Sequence, residues 1–295
     1  MSSTRKADVH PAAARLAALA ETAEQLAAQE PRGPAKVIQL PLWPEAKRGA
    51  PNTVLRGALF AAVHKDRQYM DRELLAAQRG ITIRFTGKQL DQADLDVWEQ
   101  ALHLARTQAL GARCRFTEKG FLKALGRSAG KSGRDWLRSA FARLGASLVE
   151  ISDGRRTYGG TLLEFYRDED TGRTVLEINP KLAPFFGRSQ WTQIDWAQRQ
   201  RLRGKPLALW LHGFYASHAQ PYPLSVEYLH KLSGSQTKQL KHFKQNLVRA
   251  LRDLEAGGAI RGFTIQDDRV HVQTVPSQSQ QKHLAERRPP ARWRK

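Results

Sequence analysis

The chain has 295 residues, 41% of them apolar, and its 48 lysines and arginines outnumber 28 aspartates and glutamates, for a net charge of +20. This length fits two domains with tails, and the apolar content is enough for buried cores. The charge excess disfavours an ordinary metabolic enzyme and favours a polyanionic partner, either nucleic acid or an anionic membrane face.

Apolar runs and cysteine content exclude several classes of protein. The longest apolar stretches, Ala58–Val63 and Leu207–Leu211, are far shorter than the roughly 20 residues of a membrane-spanning helix. The alanine-rich stretch Ala12–Ala28 carries charges where a secretory signal would be apolar. A single cysteine, Cys114, excludes an intramolecular disulfide, so we expect a reducing, cytoplasmic setting.

Both ends of the chain are predicted to lie outside the folded domains. Residues 1–52 are expected to form a tail and linker, with a short amphipathic helix over 16–26. Prolines and glycine mark 44–52 as the linker itself. Residues 276–295 are rich in Gln and Ser and then basic, which predicts a disordered basic tail.

Residues 53–192 are predicted to form a first domain. Ile81–Phe85 alternates like a strand, Asp91 can cap a helix, and Thr117 starts a short helix. A turn and a longer helix over about 131–144 follow. Strands are then expected over 147–152, 161–166 and 174–179, with a hairpin tip at 153–160.

A second domain over 193–275 is predicted to repeat this order. It has a helix over about 205–218, a short helix over 226–232, and a long helix over about 236–256 that stops at a Gly-Gly pair. A hairpin over 259–274 follows, with Asp267 and Asp268 at its tip.

Apolar positions in the two domains match at a constant offset of 107 residues. The matched pairs are Phe121/Tyr228, Leu122/Leu229, Leu125/Leu232, Trp136/Phe243, Ala140/Leu247, Phe141/Val248 and Leu144/Leu251. Short helix, turn, longer helix and hairpin make a helix-turn-helix with a wing. The predicted fold is therefore α+β, with two tandem winged-helix domains; two unrelated helical segments with similar spacing are the alternative.

The long helix of the second domain has a cationic side opposite its apolar side. Leu240, Phe243, Leu247, Leu251 and Leu254 are expected to face the core, with Lys244 beside them. The candidate DNA-binding residues on the opposite side are Lys238, Lys241, His242, Gln245, Arg249 and Arg252. Such cations can neutralise phosphates or contact guanine, and Gln245 could read adenine.

The first domain offers a weaker candidate surface. On its long helix, Lys131, Arg138 and Ser139 are predicted to face outward and contact DNA, beside Asp135 and Ala142. Arg155 and Arg156 at the hairpin tip suit a backbone or minor-groove contact. The acidic tip of the second hairpin is not expected to touch DNA.

Motifs for covalent chemistry are weak in this sequence. Residues 126–132 read GRSAGKS, but a phosphate loop needs four residues between its glycines and a preceding strand. A DNA nickase would need a pair of metal-binding histidines, and His212 and His218 do not share a helix face. We therefore predict no enzymatic activity, no metal and no cofactor.

A five-residue segment resembles the bacterial sliding-clamp-binding peptide, whose usual form is Gln-Leu-Ser/Asp-Leu-Phe. Here it reads Gln39-Leu40-Pro41-Leu42-Trp43, so Gln39, Leu40, Leu42 and Trp43 are the candidate clamp-binding residues. Pro41 keeps the segment extended, which lowers the entropy cost of docking. The alternative is that Trp43 packs on the protein's own first domain.

Several longer stretches resemble the TrfA-type plasmid replication initiators. They are QLPLWP, RGALF, ITIRFTGKQLDQADLDVWEQALHLAR and SHAQPYPL, and the resemblance covers about 37–275. It implies binding of tandem direct repeats (iterons) in the plasmid origin, opening of an adjacent A+T-rich segment, and retention of one exposed strand. It also implies contacts with the host initiator, the replicative helicase and the sliding clamp, and a monomer–dimer equilibrium that limits copy number. The alternative is a transcriptional regulator that binds inverted repeats as a dimer.

Overall fold

The computed structural model describes residues 38–286, so the helix expected over 16–26 and the chain beyond 286 lie outside it. Helices and short, mostly antiparallel sheets give it a mixed α/β architecture. Within that range, none of the helices has both the length and the apolar character needed to cross a membrane.

The first part of the chain contains these elements. The strands are β1 (Lys47–Pro51), β2 (Phe60–Ala61), β3 (Tyr69–Leu75), β4 (Thr82–Lys88), β5 (Leu90–Asp91), β6 (Cys114–Phe116), β7 (Leu148–Ser152), β8 (Thr157–Gly160), β9 (Glu164–Asp168) and β10 (Arg173–Glu177). The helices are α1 (Asn52–Leu55), α2 (Gln92–Ala105), α3 (Glu118–Ala124) and α4 (Lys131–Ala146), followed by a 3-10 helix (Pro180–Phe186).

The second part repeats a shorter version of this order. Its strands are β11 (Trp191–Asp195), β12 (Leu224–Ser225), β13 (Ile260–Gln266) and β14 (Arg269–Thr274). Its helices are α5 (Trp196–Arg201), α6 (Pro206–Ala216), α7 (Val226–Leu232), α8 (Leu240–Ala256) and α9 (Gln278–Glu286).

Local sequence explains where the helices start. The carboxylate of Asp91 accepts hydrogen bonds from the backbone N–H groups of Ala93 and Asp94, so it caps α2 as predicted. The Thr117 hydroxyl accepts from the Gly120 N–H and caps α3 in the same way. These side chains satisfy donors that have no partner within the helix.

Two three-stranded sheets share one strand order. In the first, β10 lies between β6 and β9; in the second, β14 lies between β12 and β13. In both cases the first strand precedes a helix-turn-helix and the other two follow it as a hairpin. The pairs matched at offset 107 are all buried or half-buried, so the two units have equivalent cores.

The hairpin that joins the sheet of the first helix-turn-helix differs from the one predicted. Strands β7 and β8, which flank the tip containing Arg155 and Arg156, belong to a separate four-stranded sheet with the order β3-β4-β7-β8. The hairpin in the three-stranded sheet is β9–β10, over 164–177. Strand β7 belongs to the separate sheet because it pairs with β4, in which Thr82–Thr86 lies antiparallel to the whole of β7.

Three further expectations differ from the structure. The supposed linker contains β1, which pairs with β11 and is mostly buried, so 47–51 belongs to the fold. Helix α8 starts at Leu240 rather than 236, and Leu240 is 42% exposed instead of facing the core, because it lies in the first turn, beyond the packed face. The tail contains α9, where Gln280 Nε2 donates to Ala216 O at 2.8 Å, although disorder was expected.

The segment that resembles a clamp-binding peptide packs on α2. Trp43 is 4% exposed, and its indole Nε1 donates to His103 Nδ1 at 3.0 Å. His103 Nε2 in turn lies 2.8 Å from Glu45 Oε2, and hydrogen bonds from His103 and Arg106 lower the pKa of Glu45 to about 2. Gln39 Nε2 donates to Arg106 O at 3.1 Å. Of the two interpretations of this segment, packing on the first domain is the arrangement in the structure.

Trp43→Ala should lower the free energy of unfolding by about 3–5 kcal/mol, because it empties a buried aromatic site. Leu42→Ala, whose side chain is 67% exposed, should change it by less than about 0.5 kcal/mol. Urea unfolding of both variants and the wild type measures the difference. Equal, small effects would contradict the packing of Trp43 on α2.

His212 on α6 is buried, and His218, just after this helix, is half-buried. Burial lowers the pKa of His212 to about 3 and the pKa of His218 to about 4. In the unfolded chain these histidines have the ordinary pKa of about 6.5. Below that pH, the unfolded chain therefore binds more protons than the folded chain. The contribution of these two histidines to stability is therefore full above about pH 6.5 and falls as pH drops toward 4.

Replacing His212 with Gln should flatten this acid loss by about 1.4 kcal/mol per pH unit between pH 6 and 4. His242→Gln is the matched control, because His242 is exposed on α8. Chemical denaturation at several pH values gives the slopes. Identical slopes for the wild type and both variants would show that His212 is not buried in its neutral form.

Candidate nucleic-acid interface

One side of α8 exposes a row of polar and cationic side chains. Phe243, Leu247, Leu251 and Leu254 anchor the opposite side, each fully buried. All six residues predicted for DNA contact are exposed: Lys238, in the turn before the helix, and Lys241, His242, Gln245, Arg249 and Arg252 on the helix. Among the described residues none of the six has a hydrogen-bond or ion-pair partner. Their donors are therefore available to a ligand.

A salt bridge connects α8 to the following hairpin. Lys244 Nζ lies 2.5 Å from Asp268 Oδ1, with both side chains partly exposed. Asp267 and Asp268 form the tip with positive φ angles, a backbone conformation that aspartate tolerates better than most residues. Lys244 is thus occupied by the hairpin, and the acidic tip is where the sequence predicted it.

The outward side of α4 is exposed as predicted, but two of its three candidates have internal partners. Arg138 donates to both carboxylate oxygens of Glu118, at 2.8 and 3.0 Å, and this pairing raises the pKa of Arg138. Ser139 Oγ donates to Asp135 O at 2.9 Å. Lys131 is exposed and unpaired among residues 38–286. Helix α4 therefore offers fewer free hydrogen-bond donors than α8.

A cationic cavity of about 570 Å³ lies between the helix-turn-helix and the β9–β10 hairpin of the first unit. Its charged lining residues are Lys119, Lys131, Arg134, Arg138, Arg167, Glu118 and Asp135. Sequence reasoning missed Lys119, Arg134 and Arg167. Arg134 follows Lys131 by one helical turn and could have been found from spacing. Arg167 could not, because its place depends on how the strands pair.

Both hairpins that follow a helix-turn-helix have acidic tips. The first tip contains Asp168, Glu169 and Asp170, and the second contains Asp267 and Asp268. Arg155 and Arg156 lie instead at the exposed β7–β8 tip, where their backbone N–H groups donate to Asp153 Oδ1 and lower the pKa of Asp153. The acidic tips would repel phosphate groups, so the exposed cations on the helices are the better candidates for contact with DNA.

Comparison with known proteins shows the family of the chain. The model of the TrfA protein family matches residues 9–274. A curated relative, the plasmid replication initiator protein TrfA of Escherichia coli, is 26% identical over 242 residues, which are 78% of this chain. The chain spans 62% of the length of that relative.

Two solved structures show limited similarity. A crystal structure of domains 2 and 3 of RctB aligns with a TM-score of 0.48 and 14% identity, covering 69% of this chain and 86% of that one. A second crystal structure of RctB domains 2-3 aligns with a TM-score of 0.45, covering 68% and 83%. The match of the family model over most of the sequence is the stronger finding, and by it the chain belongs to the TrfA family.

Proposed function

We propose that this protein is a plasmid replication initiator that binds tandem direct repeats at an origin through two winged-helix domains. The observation that carries the proposal is the row of six unpartnered polar side chains along α8 and the turn before it. A free cationic face on the second helix of a helix-turn-helix is the arrangement that enters a major groove. Similarity to a plasmid replication initiator and membership of the TrfA family support the replication role.

Strand order supports the winged-helix interpretation of both units. In each, the strand before the helix-turn-helix pairs with the last strand of the hairpin, which places the hairpin beside the second helix. Helix α4 would then be the recognition helix of the first unit, and α8 would be the recognition helix of the second. The wings would be β9–β10 and β13–β14.

Chemistry divides the α8 residues into two roles. Lys238, Arg249 and Arg252 suit phosphates, which fix the position of the protein on the duplex. Gln245 has the amide that pairs with adenine in the major groove. In the first unit, Lys131 and the cations of the cavity would contact the backbone, whereas Arg138 must first leave Glu118.

Further roles rest on the family. We expect opening of an A+T-rich segment, contacts with the host initiator, helicase and sliding clamp, and a monomer–dimer equilibrium, all without covalent chemistry. Clamp docking by 39–43 would require the segment to detach from α2, because Leu40 and Trp43 are buried. Pull-downs of each purified host protein by the full chain test these partners.

Selection of bound fragments from random plasmid and genomic DNA, near physiological salt, should recover tandem direct repeats. The repeats are expected to lie about one or two helical turns apart. Sequencing of the recovered fragments measures this. Inverted half-sites would instead favour the dimeric transcriptional regulator, and recovery without any shared sequence would contradict both.

Replacing Lys238, Arg249 and Arg252 with Ala should weaken DNA binding and reduce the slope of log affinity against log salt. The expected reduction is about one unit for each phosphate that the variant no longer neutralises. A triple Ala variant of Arg72, Arg84 and Lys88, exposed cations on β3 and β4, is the charge-matched control. Titration by fluorescence anisotropy at several salt concentrations gives the slopes. A slope equal to that of the control would remove these residues from the interface.

A further inference from the structure

One segment contacts both helix-turn-helix units. Residues 195–205, here called the brace, comprise α5 and the turn after it. On one side the brace caps α3, whose final carbonyls lack helical partners. Its donors are Trp196 Nε1 and Gln200 Nε2 to Ala124 O, each at 3.0 Å, and Arg203 Nη1 to Gly126 O at 2.6 Å. The first helix-turn-helix is thereby held at its turn.

Other side chains of the brace contact the last turn of α8 and the residues just after it. Lys205 Nζ lies 2.7 Å from Asp253 Oδ1, and both side chains are partly exposed. Gln198 Nε2 donates to the carbonyl of Gly258, just after the helix, at 3.4 Å. Side chains from one short segment, residues 195–205, therefore contact both the first helix-turn-helix and α8, the candidate recognition helix of the second.

Arg199 fixes the brace to the buried core of the protein. Its side chain is 1% exposed. The guanidinium donates to α2 through Asp96 Oδ1 at 2.6 Å and through Gln92 O at 3.1 Å, and to α6 through Leu209 O at 3.2 Å. Glu99 Oε2, fully buried, lies 3.3 Å from its Nε. A planar, permanently charged fork with these partners allows one orientation of α5.

The second helix-turn-helix also rests directly on the first unit. In its turn, Ser233 O accepts from the Ala62 N–H at 2.7 Å, and Gln236 Nε2 donates to Gln89 Oε1 at 3.0 Å. Gly234 has a φ of +60°, and a Cβ there would lie 2.9 Å from Ala61 Cβ. This close approach leaves little room for the two units to rotate against each other.

We propose that the brace, with Arg199 as its positioning residue, holds α4 and α8 at one fixed separation, so that DNA is bound tightly only when two half-sites have the matching spacing. This inference rests on the proposed function, because it needs both helices to contact DNA. Spacing thereby becomes part of the sequence specificity, although no base contacts the brace.

Physical linkage explains why rigidity would act on specificity. When one unit binds, the other is presented to its half-site at an effective concentration that depends on the geometry between them. A flexible connection spreads that concentration over many spacings. A rigid connection concentrates it at one spacing and gives almost none elsewhere.

The test compares two DNA duplexes, one with the natural repeat found by selection and one with five base pairs inserted between its half-sites. Five base pairs rotate one half-site by about half a helical turn. The full-length wild type should bind the inserted duplex about a hundredfold more weakly. Gln200→Ala/Arg203→Ala, which removes two of the three brace donors at the end of α3 without stranding a buried charge, should show a difference of only about tenfold or less.

Arg201→Ala is the matched control, because it removes one charge from the same helix and Arg201 has no hydrogen bond or ion pair among residues 38–286. It should keep the hundredfold ratio. A merely structural role for Gln200 and Arg203 would lower the melting temperature and leave the ratio of the two affinities unchanged.

Each outcome separates the two proposals. A wild type that binds no sequence specifically contradicts the proposed function. A wild type that binds both duplexes equally overturns the fixed spacing and leaves the function intact. An unchanged ratio in Gln200→Ala/Arg203→Ala overturns the brace. If that variant does not fold, Lys205→Ala removes the partly exposed salt bridge between the brace and α8, and the same criterion applies to it.

Discussion

A guanidinium cannot lose its proton in a folded protein, so a buried arginine has to be given carboxylates and carbonyls wherever it lies. Arg199 meets this requirement with groups from both units, since Asp96 belongs to α2 and Leu209 to α6. Burying charge has a cost, which is visible in the neighbouring Glu99, because burial of this carboxyl raises its pKa to about 7. Removing the arginine would leave these carboxylates buried and unpaired, so the contact constrains every element that meets there.

Charge in this protein has two separate uses. Arg48, Arg106 and Arg199 are buried and bind backbone carbonyls or polar side chains, so they hold the fold together. Lys241, Arg249 and Arg252 of α8 are instead exposed and have no internal partners among the described residues. A net charge of +20 therefore overstates the charge that a nucleic acid can meet, and the acidic hairpin tips confine it further to the helices.

Trp43 shows how far a short motif can be interpreted. Five residues give the chemical character of a segment but not its partner, because an aromatic anchor fills a pocket in another protein or in its own domain equally well. Here α2 supplies that pocket, with His103 accepting from the indole N–H. Leu42, which is exposed, is the one residue of the four that does not pack on or bond to the first unit.

The sequence by itself determined what depends on neighbours three or four residues away. Helical spacing predicted the buried and exposed sides of α8, the caps at Asp91 and Thr117, and the equivalence of the two units. Only the tertiary structure decided the strand partners, because a hairpin pattern does not tell which other strand it joins. That choice brought β10 beside β6 and so put the β9–β10 hairpin next to the first helix-turn-helix, drew β1 into the fold and placed Arg167 beside Glu118, and packing of α4 on α3 paired Arg138 with the same carboxylate. These contacts join residues about 20 to 150 positions apart, and chain periodicity carries no information over such distances.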